Sequence, residues 1–392
     1  MTDTGAKTLH GAVLMLAAIL PTMAIVSLVP VLPLLLQEFS AVEGSEFLVP
    51  IAMTIPALCV ALFSPVAGWL SDKLGRKPVL LVSFLIYGAL GVLPFVLTDL
   101  FHIIFARIGL GIAEAAIMTV ATAMIGDYFH GERRERWVAT QVAVSSLSAI
   151  ALIALGGALG EILGSRGPFL LYLLAFPIAL IAALVLFEPD HVHHDAAEAG
   201  GFKLTAILPL LLTTLSIAIL FYTTIVNLGP FLALTSEVTP AVIGIAGAAV
   251  NVGVAVGSVV FGRVKAASGQ LLLGLGLCCM GLGYLGAGVS SGVVPVTLFA
   301  VLICLGAGLL LPTLLTWILK LLPPAARGRG TGMWTGMFFL GQFIAPILAS
   351  AIAAKAGGLG EVLYIYAGIA LVLMLAAAIA ARNAPPLKAG AN

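Results

Sequence analysis

Gly68-Trp69-Leu70-Ser71-Asp72-Lys73-Leu74-Gly75-Arg76-Lys77-Pro78 decides how this chain is read. It places two glycines and four charges between long apolar segments, in a protein where only 9% of residues are charged. The stretch reads as a tight, polar turn of about ten residues joining two membrane-length helices. Each residue has a physical use there. Gly68 lets a neighbouring helix approach closely, and Gly75 permits a positive φ in the turn. Pro78 suits the first turn of the following helix. Asp72 can cap a helix start or accept from an arginine, while Lys73, Arg76 and Lys77 hold the loop on one side of a bilayer.

Working outward, the 392 residues are 61% hydrophobic, against about half in a soluble domain, where roughly a quarter of residues are charged. Lipid is therefore the expected solvent. A net charge of +1 gives no electrostatic footprint for nucleic acid. Cys59, Cys278, Cys279 and Cys304 all lie inside apolar runs without metal-ligand spacing, so they read as small buried hydrophobes. The run from Gly11 to Leu36 is too long for a signal-peptide core and reads as a retained first span.

A bilayer core takes about 20 apolar residues per helix. That rule divides the chain into spans near 11–36, 47–70, 78–98, 103–126, 137–163 and 168–187. A second set follows near 204–235, 240–261, 270–290, 293–319, 330–354 and 361–381. The expected fold is an all-α membrane protein of twelve transmembrane helices in two six-helix bundles related by a pseudo-twofold. Its parts are an N-terminal bundle over 1–187, a linker over 188–203 and a C-terminal bundle over 204–392. With twelve spans, 15 of the 18 Lys and Arg residues fall on the side of the termini, which predicts cytoplasmic termini. Shifting by 193 residues lays Arg134 and Arg136 on Arg327 and Arg329, and lays the 71–77 stretch on the turn from Arg263 to Gln270. Six plus six with an internal repeat is a pattern of transporters.

At these residues the chain resembles the major facilitator superfamily, over nearly its whole length. The family's G-x-L-x-D-[RK]-x-G-[RK]-[RK] signature between spans 2 and 3 is matched by Gly68, Leu70, Asp72, Lys73, Gly75, Arg76 and Lys77. Arg107-Ile108-Gly109-Leu110-Gly111 looks like the family's span 4 pattern. Asp127 followed by Arg133 and Arg136 resembles its span 4–5 loop. Val29-Pro30-Val31-Leu32-Pro33 is similar to the first span of the drug:proton antiporter branch. That branch's Gly-Pro-x-x-Gly-Gly in span 5 is incomplete here: Gly156-Gly157 stand in place, but Leu152-Ile153 replace Gly-Pro. The run Arg107 to Ala115 also resembles lipid- and organic-anion-carrying branches. The resemblance implies that the 68–77 turn is a latch between halves, with Asp127 and Arg136 as partners. The residues alone also allow a topology anchor.

Arg107 and Glu114 are the candidate proton-coupling pair. A charge at the centre of a membrane helix costs about 2.5–3.5 kcal/mol on insertion scales. Seven residues place both on one face of span 4, about 10 Å apart along the axis. A carboxyl that trades its proton against an arginine or a cargo is what coupling needs; a structural ion pair that fixes packing is the other reading. By family analogy spans 1, 4, 7 and 10, with 5, 8 and 11, line a central cavity. The candidate substrate-binding residues are Thr22, Ser27, Thr119, Gln141, Ser145, Phe221, Tyr222, Asn227, Asn251, Trp317, Phe338 and Gln342, with Thr223, Thr313, Trp334 and Phe339 beside them. That set is too thin in hydrogen-bonding groups for a sugar and suits a lipophilic cargo, cationic ones included. His191, His193 and His194 in the linker read as solvated residues rather than a metal site.

The expectation is a bacterial inner-membrane secondary transporter, monomeric, exporting a hydrophobic small molecule against protons, with no cofactor, no metal and no enzymatic activity. An organic-anion or lysolipid carrier using Arg107 as counter-charge stays open. So does a non-transporting membrane sensor on the same fold.

Overall fold

A computed structural model describes residues 8–189, 204–264, 269–323 and 326–383. These residues are almost entirely helical, with no strand among them. Eleven helical stretches are long and apolar enough to cross a membrane. One of them, Gly131–Val185, runs to 55 residues, twice a bilayer's width. It doubles back at Gly164, whose φ of +71° is open to glycine at no steric cost. The result is twelve crossings.

The spans, numbered in chain order, mostly start or end within a few residues of their expected limits. Span 1 is Thr8–Val26, followed by a 3₁₀ turn at Val29–Val31 and a short helix at Leu32–Glu38. Spans 2 to 5 are Ser45–Leu74, Arg76–Val92, Leu100–Tyr128 and Gly131–Leu163. Span 6 combines a 3₁₀ segment, Gly164–Leu174, with Ala175–Val185. Span 7 is Leu208–Val226 continued by Leu228–Ala233. Spans 8 to 12 are Pro240–Val264, Gly269–Val289, Val293–Leu321, Arg327–Ala356 and Leu359–Asn383. Two ends differ by six residues: span 3 stops at Val92, where the 3₁₀ turn Leu93–Phe95 with Pro94 follows, and span 5 begins before its expected start because Glu132, Arg133, Arg134 and Arg136 continue the helix beyond its apolar part.

The packing repeats between halves. Spans 2 and 3 pack on span 4 as spans 8 and 9 pack on span 10, and span 1 lies on span 5 as span 7 lies on span 11. The halves meet through two equivalent pairings, span 2 with span 11 and span 5 with span 8. In lipid, helices gain little hydrophobic energy by associating, so close backbone approach carries the interface. Span 5 shows it: a Cβ on Gly157 would sit 2.6 Å from the Pro240 carbonyl oxygen and 2.9 Å from Gly244 Cα.

These interhalf contacts lie on the face away from Thr8 and Asn383. The Ala241 N–H donates to Glu161 Oε2 at 3.3 Å, and Ser350 Oγ donates to the Glu46 carbonyl at 3.0 Å. Pro50 has no N–H, so the Glu46 carbonyl loses its donor four residues on. The other half supplies one instead.

Candidate functional site

The 68–77 stretch is less of a turn than its composition suggests. Span 2 stays helical to Leu74 and span 3 starts at Arg76, so the break is Gly75 alone, with φ +93°. Asp72 therefore lies in the last turn of a helix and caps no start. Its Oδ1 is 3.5 Å from Arg76 Nη2, and its side chain is largely exposed. Lys73 lies 4.1 Å over the Trp69 ring.

The start of span 3 is capped by Glu188, which follows the end of span 6. The Arg76 N–H donates to Glu188 Oε1 at 2.6 Å and the Lys77 N–H to Oε2 at 2.8 Å. Lys77 Nζ donates to the carbonyls of Ala183 and Leu186, at 2.9 and 2.5 Å. A carboxylate at a helix N-terminus and an ammonium at a helix C-terminus both complement the helix dipole. Sequence reading assigned Glu188 to the linker and missed this role; its position just after an apolar span was the available signal. Arg76 Nε also contacts Asp127 Oδ2 at 2.6 Å, tying span 3 to the end of span 4. Arg136 is not part of this cluster. It pairs with Glu132 on its own helix at 3.2 Å, fully in the open.

Arg107 is completely buried. Its Nε donates to the Ala52 carbonyl at 3.0 Å, Nη1 to the Tyr172 hydroxyl at 2.6 Å, and Nη2 to the carbonyls of Ala24 and Met53. Two of these acceptors are freed by local backbone geometry. Pro56 cannot donate to Ala52. The Leu28 N–H turns to Ile25 as span 1 tightens into its 3₁₀ turn, releasing Ala24. The guanidinium thus ties spans 1, 2 and 6 to span 4, and it has no bridge to Glu114.

Glu114 is 2% exposed, and its Oε2 finds no hydrogen-bond partner among the described residues. This proton-coupling candidate is absent from the lining of the central cavity. Ile117 and Met118, one turn further along span 4, reach the cavity instead. Two charges seven residues apart share a face, and Arg107 turns that face toward spans 1 and 2.

The cavity itself measures about 470 Å³ and extends from mid-bundle toward the face of Thr8 and Asn383. Spans 1, 4, 5, 7, 8, 10 and 11 line it. Thr22, Gln141, Ser145, Phe221, Tyr222, Asn251, Phe338 and Gln342 converge there, joined by Phe339 and by two residues absent from the candidate set, Thr122 and Ser146. Four candidates lie elsewhere. Ser27 is buried, donating to the Met23 carbonyl, and Asn227 donates to that of Thr223. Thr119 faces Gly68 of span 2, and Trp317 packs over Gly269. Thr223 and Thr313 donate to the carbonyls of Ala345 and Leu309, and Trp334 stacks behind Phe338 with rings 5.7 Å apart. A mostly apolar helix gives little signal of which face is inward, so position along a span does not separate these polar residues from those that reach the cavity. His191, His193 and His194, and the Lys265 turn, lie outside the described residues.

Two segments, residues 14–226 and 210–392, match the family described as Major Facilitator Superfamily. The class H tetracycline resistance protein of Pasteurella multocida is 32% identical over 176 residues, which is 45% of this chain and 44% of that protein. The chain thus spans under half the length of this relative. The multi-drug resistance efflux pump PmrA of Streptococcus pneumoniae is 27% identical over 353 residues, 84% of this chain and 85% of that one. Among solved structures, a bacterial homologue of the human lysosomal transporter Spinster, inward-facing and occupied, superposes with a TM-score of 0.80. It is 18% identical, covering 98% of this chain and 100% of that one, a likeness of fold. These are transport proteins rather than enzymes.

Proposed function

The chain belongs to the major facilitator superfamily, and from that premise we propose that it is a secondary active transporter exporting a hydrophobic small molecule in exchange for protons. The observation that carries this reading is the cavity. It is apolar, bears the rings of Phe221, Tyr222, Phe338 and Phe339, and sits between halves that meet at the face away from Thr8 and Asn383. A pocket of that size and lining suits a lipophilic cargo. The multi-drug resistance efflux pump PmrA among the relatives points the same way.

With the termini in the cytoplasm, as the lysine and arginine bias favours, the sealed face is external and the cavity opens inward. Alternating access then breaks the span 5–8 and span 2–11 contacts and closes the cytoplasmic ends. The host membrane is a bacterial inner membrane, and one copy of the chain holds a complete cavity.

Glu114 is the proton carrier in this reading. A buried carboxyl oxygen without a partner is costly as an anion and tolerable as an acid. Its protonation state therefore changes the energy of the bundle around span 4, one turn from the cavity wall. Arg107 acts as a modulator by position, its donors being held by backbone carbonyls and the Tyr172 hydroxyl. For the same reason it is a poor counter-charge for an anionic cargo, which sets this reading above an organic-anion carrier.

The test is transport in proteoliposomes under an imposed pH gradient, with a panel of lipophilic dyes. Wild type should accumulate a dye in step with proton movement. Glu114→Gln should insert and bind dye but lose the proton-driven accumulation. Full accumulation by Glu114→Gln overturns the coupling role.

A further inference from the structure

Spans 2 and 3 each pack along span 4 but touch one another far less. Joined at Gly75, they leave a slot of about 300 Å³ between them, with span 4 as its floor. Span 4 presents Gly109, Ala113 and Ala116 there, so the floor is low. The walls are apolar: Val66, Leu70 and Leu74 on span 2, Val82 and Ile86 on span 3. All five are exposed, so the slot opens on the lipid side of the bundle. It shares no lining residue with the central cavity, which span 4 borders further along its length through Ile117, Met118, Ala121 and Thr122.

Its dimensions match one leaflet. From Phe63 to Leu74 the span 2 wall runs about 16 Å at 1.5 Å per residue, close to half of a hydrocarbon core about 30 Å thick. The slot ends at Leu74 and Pro78, on the face of Thr8. Left unfilled, it would deprive its walls of van der Waals partners, and the solvent on that side is hydrocarbon. An acyl chain of the surrounding bilayer has the length, width and polarity to fill it. The absence of larger side chains on the floor is what lets a chain sink between the two helices.

Charge marks the mouth. Leu70 and Leu74 bracket Lys73, whose Nζ lies 4.1 Å over the exposed ring of Trp69. Tryptophan and lysine at a helix end are residues of the headgroup level. Of the three cations in this stretch, Arg76 is held by Asp127, and Lys77 by the carbonyls of Ala183 and Leu186. Lys73 meets only the Trp69 ring among the described residues, which leaves its N–H donors for an anion. Asp72 does not oppose this. It stands two residues from Leu70, near the opposite side of the helix, and its carboxylate turns to Arg76.

We propose that this slot is a phospholipid site, in which one acyl chain lies between spans 2 and 3 over Gly109, Ala113 and Ala116 and the phosphate of an anionic headgroup pairs with Lys73. The chain supplies affinity through contact along three helices, and the lysine supplies the preference among headgroups. One basic residue near a membrane surface corresponds to about fivefold in favour of an anionic lipid. The site stands apart from the cargo cavity and from Glu114, so it does not depend on what the protein exports.

The experiment is native mass spectrometry of the full chain in detergent, titrated with phosphatidylglycerol or with phosphatidylcholine of the same acyl chains. Wild type should retain a first phosphatidylglycerol about fivefold more tightly than a first phosphatidylcholine. Lys73→Gln should bring that ratio to about one while phosphatidylcholine retention stays near wild type. Ala116→Leu, which raises the floor, should retain neither lipid at concentrations that saturate wild type. Unfolding temperature in detergent without lipid checks that each variant is folded. If Ala116→Leu is not, Ala67→Leu, at the side of the same slot, carries the comparison. Retention by the folded slot variant equal to wild type would mean that the lipid is held elsewhere and overturns the proposal. So does a phosphatidylglycerol preference that survives Lys73→Gln, and so does a wild type that retains no lipid.

Discussion

Arg107 completes a helix that Pro56 leaves open: its Nε donates at 3.0 Å to the Ala52 carbonyl, the acceptor that a residue other than proline at position 56 would have served. In a bilayer such a carbonyl needs a partner from elsewhere. The charge that made Arg107 conspicuous in the sequence is thus spent first on backbone. Arg107→Leu should lower thermal stability in detergent by about 1–3 kcal/mol for each carbonyl left unpaired. Adding Pro56→Ala restores a donor to Ala52 and should recover part of the loss. Thermal unfolding of the two single variants and the double variant measures the coupling. Additive effects would show that Arg107 does not serve the gap left by Pro56.

The Glu46 carbonyl, freed by Pro50 and held at 3.0 Å by Ser350, is the same device used across the two halves. A hydrogen bond between rigid bodies can break when they separate, whereas one within a helix persists. Ser350→Ala should weaken the closed face away from Thr8 and Asn383 by roughly 0.5–1.5 kcal/mol. Gly157→Val should weaken it more, since its side chain would overlap the Pro240 carbonyl and Gly244. Spin-label distances between the ends of spans 5 and 8 that lie away from Thr8 and Asn383 should show a larger separated population in both variants, and more of it for Gly157→Val.

Glu188 joins the end of span 6 to the start of span 3 through two backbone bonds, and Gly75 makes room for it. A Cβ at Gly75 would lie 3.1 Å from Glu188 Oε1. Glu188→Ala should cost about 1 kcal/mol, as losing a helix cap does. It should also speed amide hydrogen exchange at Arg76 and Lys77 specifically. Gly75→Ala adds strain at a positive φ and should destabilise by a similar amount. Exchange at both amides unchanged in Glu188→Ala would show that the cap does not form in the membrane.

The parts of this architecture visible in the sequence are those governed by one-dimensional rules. A bilayer's thickness sets span length, and the side preference of lysine and arginine sets the alternation, so twelve spans follow from composition. Gly164 could be placed between spans 5 and 6 for that reason, although Gly131–Val185 is helical on either side of it. The cap by Glu188 depends on residues more than a hundred positions apart, and its place just after an apolar span marks a helix end without naming the partner it caps. The Ala52 carbonyl is intermediate: Pro56 marks it as unpaired in the sequence, but only the packing of span 4 on span 2 shows that Arg107 reaches it. Glu114 failed to reach the cavity wall because span 4 is apolar on every side and its rotation is fixed by the arginine instead.

Asp72 offers a last test, because it is the one acid of the 68–77 stretch with little to do in this state. It is 66% exposed in its side chain, and its contact with Arg76 is 3.5 Å, while Arg76 is held at 2.6 Å by Asp127. Span 2 packs along span 11, whose first turn carries Arg327 and Arg329. If the halves close on the face of the termini, the end of span 2 approaches that first turn, and Asp72 meets a helix N-terminus and two guanidinium groups. Asp72→Asn should therefore leave the state described here unchanged in stability but disfavour its alternative. An exposed ion-pair network of this kind corresponds to roughly 1 kcal/mol, or about fivefold in population. Labelling of single cysteines placed in the cavity wall from the termini face should rise accordingly, and high salt should produce the same rise in wild type. Asp127→Asn is the control, since it loosens Arg76 within one half. Equal labelling in wild type and Asp72→Asn would reduce the stretch to an anchor for topology.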